Sequence, residues 1–292
     1  MEINADYIYL NSLFSLFFSI YPILIKRTGK LESKVVLAPR GMLKGSALQH
    51  KSIKKKIFIQ LFKMMGIPSQ VTFHATDDTE GRDIRQQFGD NVQIVTSGNL
   101  PGKQLNFIPP GSKKKGELKL IFVGRIHPIK NLDFLLSSLQ GMKQQIDLTI
   151  IATLEDESYW EKCEGLIQGL AKNISTILMQ DIPHEKIISI IREHHIFALP
   201  TKGENFGHSI FEALSVGRPV LISDQTPWRN LADANAGWDI SLTNQEAFRD
   251  TLRLFSEMDY EQLMIWCRGA WNYCNVYINQ SEIRNNYLKI FN

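Results

Sequence analysis

Two carboxylates, Glu204 and Glu212, lie eight positions apart within the stretch Leu199 to Asp224, LPTKGENFGHSIFEALSVGRPVLISD. The pattern predicts a strand ending at Pro200, a short loop holding Glu204, and a helix from near Gly207 that carries Glu212. A helix start presents free backbone N–H groups and the positive end of the peptide dipoles, which suits a phosphate. Gly207 lets a ligand approach the backbone closely. Carboxylates accept paired hydrogen bonds from vicinal hydroxyls, so one glutamate can face a sugar and the other a ribose. A second run, IFVGRIHPIKN (Ile121 to Asn131), again follows a strand and puts Arg125 and Lys130 in a strand-to-helix loop. A planar guanidinium fork and a point-charge ammonium can together hold a diphosphate. Fixed cations there stabilise the charge that develops on a departing diphosphate. Taken singly, each glutamate reads as a solvated surface carboxylate and each cation as a loop charge. The chemistry is carried by the set.

Regular alternation positions that set. Leu118–Val123, Leu148–Ile151, Thr176–Leu178, Ile196–Leu199 and Pro219–Ile222 are short apolar runs that suit strands covered on both faces. Leu132–Met142, Tyr159–Ala171, His184–His194 and Gly207–Val216 have helical character. Strands alternating with helices predict βαβ units and one parallel, doubly wound sheet. Ligands of such sheets bind beyond the carboxyl ends of the strands, and both loops leave that edge. Gln225-Thr-Pro is expected to begin another helix, and Asn244–Asn275 and Ser281–Phe291 read as terminal helices, with Trp266, Trp271, Tyr273 and Tyr277 as packing residues. In the first part, Val35–Ala38, Val71–His74 and Val92–Val95 are expected strands, and Gln49–Met65 and Thr79–Phe88 expected helices. Pro109-Pro-Gly-Ser-Lys-Lys-Lys-Gly116 reads as the linker.

Composition narrows the classes. The net charge of +3, from 33 basic and 30 acidic residues, gives no reason to expect a nucleic-acid partner. Three irregularly spaced cysteines, Cys163, Cys267 and Cys274, form neither a disulfide framework nor a zinc pattern, and read as buried apolar groups in a reducing cytoplasm. The stretch YIYLNSLFSLFFSIYPILI (Tyr7–Ile25) lacks the basic start of a signal peptide, and Asn11, serines and Pro22 interrupt it. It is read as a strand, Tyr7–Leu10, followed by a buried apolar helix; a membrane-inserted segment is the alternative. Gln49–Lys63 interleaves Lys51, Lys54, Lys55, Lys56 and Lys63 with isoleucine, leucine and phenylalanine. It is either a basic face over a core or a helix that lies on an anionic membrane.

Gly124-Arg125, Lys130-Asn131, the spaced pair Glu204 and Glu212, Phe206-Gly207 and Gly217-Arg218-Pro219-Val220 together resemble the retaining glycosyltransferases of family 4, which have the GT-B fold. The resemblance is continuous from about Leu118 to Val220. It implies a C-terminal doubly wound, Rossmann-like parallel sheet and a smaller N-terminal α/β lobe. The implied division is an acceptor-side lobe over residues 1–111, a donor-binding domain over 112–265, and C-terminal helices over 266–292 that pack back on the first lobe. It implies Arg125 and Lys130 on the donor diphosphate and Glu204, the catalytic candidate, on donor-sugar hydroxyls rather than as a nucleophile. Phe206, Gly207, His208 and Ser209 are implied to meet the phosphate or sugar, and Glu212 to hold the ribose. Ile182 and His184, in the turn Asp181–His184, are the implied base-binding residues.

The implied donor is a UDP- or GDP-sugar, used without a metal or other cofactor; the chain has no D-x-D run, and no G-x-G-x-x-G run that would suggest a nicotinamide enzyme. VVLAPRGML (Val35–Leu43) resembles a segment of polysaccharide-building members, which implies a glycan or lipid-linked acceptor and surface polysaccharide assembly at the inner face of the membrane. Arg40 is either an acceptor-side anion contact or a loop arginine. His74 is read as structural, and Glu80 has no assigned role. The first lobe is expected to be incomplete, because the strand and glycine-rich loop that open full-length relatives do not precede Tyr7. The competing expectations are accordingly a nucleotide-sugar-binding fragment without turnover and a membrane-associated scaffold.

Overall fold

The computed structural model describes residues 5–29, 32–45, 48, 52–98, 105–279 and 281–291. Two compact units result: Met1–Leu100 with Gln280–Asn292, and Pro101–Asn279. The division falls ahead of the Pro109–Gly116 segment that the sequence suggests as linker.

The first unit is built on β1 (Tyr7–Asn11), β2 (Lys34–Ala38), β3 (Thr72–Ala75) and β4 (Gln93–Thr96), in that spatial order and all parallel. Val35 to Ala38 are all buried, as a central parallel strand requires. Leu37 and Phe73 share a core with Ile23 of α1 (Tyr21–Arg27), Ile59 and Phe62 of α2 (Ser52–Met64) and Ile84 of α3 (Asp78–Phe88). Lys51, at the head of the basic run, lies outside the described residues. Asp77 starts α3 by accepting the Glu80 N–H at 2.8 Å. The last helix, Ser281–Leu288, belongs to this unit: Tyr287 packs edge-on to His74 at 5.5 Å between ring centroids.

The apolar stretch after β1 departs from the sequence expectation. A π-type turn at Leu16–Ile20 leads into α1, and the two elements bury only Ser19 and Ile23. Phe17 and Phe18 are 73% and 76% exposed. Hydrophobic composition signals burial only where a neighbour is there to cover it.

The second unit holds β5 (Glu117–Ile126), β6 (Gln145–Leu154), β7 (Ile174–Met179), β8 (Ile196–Leu199), β9 (Val220–Ser223) and β10 (Gly237–Ile240). Their order is β10-β9-β8-β5-β6-β7, all parallel. This is the doubly wound Rossmann order, and its switch point lies at β5 and β8. The intervening helices are α4 (Leu132–Leu139), α5 (Glu157–Gln168), α6 (His184–Arg192) and α7 (His208–Ser215), followed by α8 (Gln245–Glu257) and α9 (Tyr260–Ile278).

Two further expectations are corrected here. Residues 225–236 form bends and turns rather than a helix. Thr226 Oγ1 accepts the Trp228 N–H at 3.2 Å, and the Trp228 indole is buried, so side-chain bonding there replaces a helical ladder. The following strand, β10, has no apolar run to announce it. The stretch from Asn244 is two helices, because Asp259 and Gln262 form a capping box that restarts the chain as α9. That helix belongs to the second unit, where Leu263, Cys267, Ala270 and Cys274 make one buried face in the second core. Arg218, from the family-like run, is fully buried, and its guanidinium donates to the carbonyls of Arg192, Val216, Gly217, Ile108 and Pro109. It holds the segment before β5 against the α6 and α7 ends.

Candidate active site

The loops after β5 and β8 are stitched together. Lys202 N donates to Ile129 O at 2.7 Å, Thr201 Oγ1 donates to the same carbonyl at 3.0 Å, and Asn131 Nδ2 donates to Pro200 O at 2.9 Å. Asn131 sits in the left-handed region at φ 59°, which asparagine tolerates better than most residues, and is 5% exposed. This stitching puts Lys130 Nζ on Glu204 Oε1 in a charge-assisted hydrogen bond. The two side chains are 15% and 11% exposed. The Glu204 N–H is fixed by Gln225 O at 3.0 Å.

Arg125 is the penultimate residue of β5, in register with Thr153 of β6. Its Nη1 donates to both Glu155 oxygens, at 3.1 and 2.8 Å. Arg125 is 54% exposed and Glu155 38%, so water screens the pair and it is worth about 0–1 kcal/mol. A diphosphate can take over either cation by replacing a protein carboxylate. Gly124, Arg125, Lys130, Thr153, Asp181 and Ile182 line one open cavity of about 240 Å³ at the switch point. Asp181 turns the β7–α6 loop at φ 54°.

The α7 start has the geometry its sequence suggests. Gly207 adopts φ 79°, and a Cβ there would come within 2.8 Å of Ile210 Cδ1. No side chain caps this terminus, so the first-turn amides of His208 and Ser209 are not satisfied by a side-chain cap. His208 is exposed and Ser209 half-buried. Glu212, a turn further on, is 14% exposed and hydrogen-bonds His184 Nε2 at 2.8 Å, which joins the α7 face to the α6 start. Phe206 differs from expectation. Its ring is 5% exposed among Phe211, Trp228 and Tyr277, and its carbonyl accepts the Trp228 indole N–H at 2.5 Å. The ring packs edge-on to His208 as well, at 4.9 Å between centroids, and so supports the loop.

Thus Arg125, Lys130 and Ile182 share one cavity, Lys130 and Glu204 form one pair, and Glu212 and His184 form another. Sequence reasoning missed Glu155 and Trp228, and named Asn131 without giving it a role. Glu155 was detectable as one more polar residue beyond the carboxyl end of a parallel strand. Nothing in the sequence marks Trp228 as the anchor of the Phe206 loop.

Arg40 lies in the first unit. It adopts φ 55°, and its guanidinium donates to Asn11 Oδ1 at 3.2 Å and the Tyr9 hydroxyl at 2.8 Å. The fully buried Glu80 carboxylate shapes the adjacent backbone, accepting from Gly41 N at 2.5 Å, Thr76 N at 2.8 Å and Thr76 Oγ1 at 2.7 Å. His74 is fully buried, and its Nε2 donates to Ser97 O at 2.8 Å, leaving Nδ1 to accept from Tyr9. Burial holds this imidazole below its ordinary pKa. Glu80 and His74 therefore position the Arg40 loop and Tyr9.

A six-stranded sheet in Rossmann order and a four-stranded parallel α/β unit in the same chain give the GT-B fold class. Residues 104–267 match the family "Glycosyl transferases group 1", more than half of the chain. The chain belongs to that family. A probable sucrose-phosphate synthase of Thermosipho melanesiensis is 24% identical over 217 residues, covering 69% of this chain and 50% of that protein. A D-inositol 3-phosphate glycosyltransferase of Segniliparus rotundus is 27% identical over 136 residues, covering 41% of this chain and 30% of that protein. This chain thus spans half or less of the length of these relatives. Among solved structures, the sucrose-phosphate synthase of Thermosynechococcus elongatus superposes with a TM-score of 0.73 at 14% identity, over 98% of this chain and 73% of that one. WaaG, a glycosyltransferase of lipopolysaccharide biosynthesis, gives 0.68 at 15% identity, over 94% and 80%.

Proposed function

We propose that this chain binds a nucleotide-diphosphate sugar and transfers its sugar, with retention of configuration, to a glycan or lipid-linked acceptor. The reading includes membership of the retaining family 4 group. The observation that carries it is the pairing of Lys130 with Glu204 beside the Arg125 cavity, where the switch point of the sheet meets the uncapped α7 start. In the donor complex Arg125 and Lys130 face the diphosphate and Glu204 faces sugar hydroxyls, so donor binding exchanges the Lys130–Glu204 bond for two bonds to ligand. Backbone amides at Gly207, His208 and Ser209 meet phosphate or sugar. Glu212 takes the ribose, and Ile182 and His184 flank the base.

The acceptor hydroxyl attacks the anomeric carbon on the face the diphosphate leaves. The carbon–oxygen bond to phosphate breaks as the new glycosidic bond forms, and the acceptor proton passes to the departing phosphate oxygen. Arg125 and Lys130 stabilise the charge on that leaving group. Two side-chain cations in this role make a divalent metal unnecessary in our reading. Solved relatives support UDP as the nucleotide: a pneumococcal O-GlcNAc transferase and Anabaena HepE are both described in complex with UDP.

On the acceptor side, Arg40 binds a phosphate or carboxylate. Together with the polysaccharide-type VVLAPRGML segment, this favours surface polysaccharide assembly at the inner face of the membrane. Peripheral contact through the basic run at 49–63 fits that setting; no helix among the described residues is long and apolar enough to cross a membrane. Titration calorimetry with UDP and GDP tests the donor assignment. Arg125→Ala and Glu212→Ala should each weaken UDP binding about tenfold or more, on the scale of one lost charge-assisted hydrogen bond. Unchanged affinity in both variants would overturn the site.

A further inference from the structure

The first unit exposes far more apolar side chain than solvent contact explains, and does so on two elements that share its core. Leu16, Phe17, Phe18, Tyr21 and Ile25 are between 46% and 76% exposed on the turn before α1 and on α1 itself. On α2, Ile53, Ile57, Leu61 and Met64 are between 52% and 81% exposed. At 3.6 residues per turn these four fall within roughly 80° of arc, a single stripe. The opposite side of α2 is the ordinary core face, with Ile59 and Phe62 buried. This helix therefore has two apolar faces, and only one is covered. Phe14, two residues before the turn, packs edge-on to Phe58 of α2 at 5.1 Å, and Lys55 Nζ lies 5.5 Å over the Phe14 ring.

Charge selects the occupant. The exposed lysines Lys54, Lys56 and Lys63 flank the α2 stripe on both sides, and Arg27 is exposed at the end of α1. Residues 12–29 and 52–65 contain no aspartate or glutamate. An apolar stripe rimmed by long cationic side chains suits the headgroup–acyl boundary of an anionic bilayer, where the rings insert and the ammonium groups reach phosphate. A second copy of the chain would bring the same cations against each other.

We propose that the Leu16–Ile25 ridge and the exposed α2 stripe form one docking face for an anionic bilayer surface, with Phe17 and Phe18 as its inserting side chains. The inference deepens the peripheral-contact reading above and rests on it. It also gives that contact a purpose. An open groove of about 650 Å³ is lined by Phe17 and Phe18 together with Tyr9 and Asn11, the hydrogen-bond partners of Arg40. A lipid-linked acceptor drawn from the bilayer would follow this groove, with its phosphate toward Arg40.

Flotation of the full chain with phosphatidylcholine vesicles, with and without phosphatidylglycerol, tests the proposal. The protein should float only with the phosphatidylglycerol vesicles. Phe17→Ser with Phe18→Ser should cut partitioning about tenfold or more, the scale of two lost aromatic insertions. Ile265→Ser with Val276→Ser, on the exposed side of α9, should not. Near-ultraviolet circular dichroism checks that each variant is folded. No flotation by the wild type on any vesicle removes the peripheral-contact reading itself. Flotation lost on reversing Lys54, Lys56 and Lys63 to glutamate, yet kept by the serine variant, leaves that reading and overturns the aromatic docking face. A serine variant that turns a dimer into a monomer, with no wild-type flotation, would mark the face as a contact between copies and overturn the inference too.

Discussion

Replacing Glu204 by glutamine should tighten the binding of free UDP while impairing the use of UDP-sugar. In the ligand-free protein Glu204 neutralises Lys130, and both side chains are largely buried, at 11% and 15% exposure. Exposed pairs contribute about 0–1 kcal/mol, whereas removing one partner of a fully buried pair costs about 3–5 kcal/mol. At this intermediate burial Glu204→Gln should destabilise the free protein by about 1–2 kcal/mol, chiefly by leaving the Lys130 ammonium without a counter-charge. The diphosphate of UDP restores one, so the bound variant should lose little. Closing the cycle, UDP should bind the variant about 5–30-fold more tightly than it binds the wild type. Two assays read this independently. Calorimetry gives the dissociation constants directly, and thermal unfolding should show a lower melting point without ligand but a larger rise on adding UDP. Sugar transfer should fall about 10²-fold or more, because the hydroxyl contacts that orient the donor are lost. Equal or weaker UDP binding would refute the reasoning. It would mean that Glu204 holds Lys130 in its productive position instead of competing with phosphate for it.

Three other outcomes follow from the second unit. His195 is 2% exposed, accepts Lys119 N at its Nδ1 and donates from Nε2 to Ser112 O, and burial pushes its pKa down to about 4. The unfolded chain, with a histidine near pH 6.5, binds more protons across that interval, so stability should be fully present above about pH 6.5 and fall by about 2–3 kcal/mol toward pH 4. All five tryptophans lie in the second unit, so denaturant titrations followed by tryptophan fluorescence report this unit, and His195→Gln should flatten their pH dependence. Gly207→Ala should cost about 1–3 kcal/mol through its positive φ and the Ile210 contact, and weaken UDP binding by shifting the α7 start; an alanine variant with wild-type affinity would show that those amides are not used. Sugar transfer should persist in EDTA, and restoration of a lost rate by magnesium or manganese would contradict the assignment of the leaving-group charge to Arg125 and Lys130.

Much of the second unit was legible in the sequence because its signals are local and mutually consistent. Fully covered parallel strands read as short apolar runs, and the loops bearing Arg125, Lys130, Glu204 and Glu212 follow them directly. Once the strands are parallel, those residues must share one edge, whatever the side-chain detail. What the sequence did not disclose are pairings across that edge. The Arg125–Glu155 and His184–Glu212 contacts join residues 30 and 28 positions apart, and no periodicity encodes them. Phe206 was misread for a related reason: a conspicuous aromatic in a ligand loop looks like a contact until Trp228, from a stretch with no regular structure, is found bonded to its carbonyl.

The Tyr7–Ile25 segment shows a different kind of failure. Its hydrophobicity predicted a buried helix, since apolar periodicity cannot distinguish a face packed on protein from one available for something else. Only the fold says which neighbours arrive. Here they cover Leu10, Leu13 and Ile23 but leave Phe17 and Phe18 outside. The same holds for α2, where one apolar face is core and the other is not. Hydrophobic residues left over after a core is complete are informative when they are contiguous and share a charge environment, because selection against aggregation ordinarily removes them. The lysine-rimmed stripe meets both conditions, and the groove lined by Phe17 and Phe18 is also lined by Tyr9 and Asn11, which hold the Arg40 guanidinium. Under the proposed docking, the segment least well read from sequence is thus the one that would bring a lipid-linked acceptor beside that arginine.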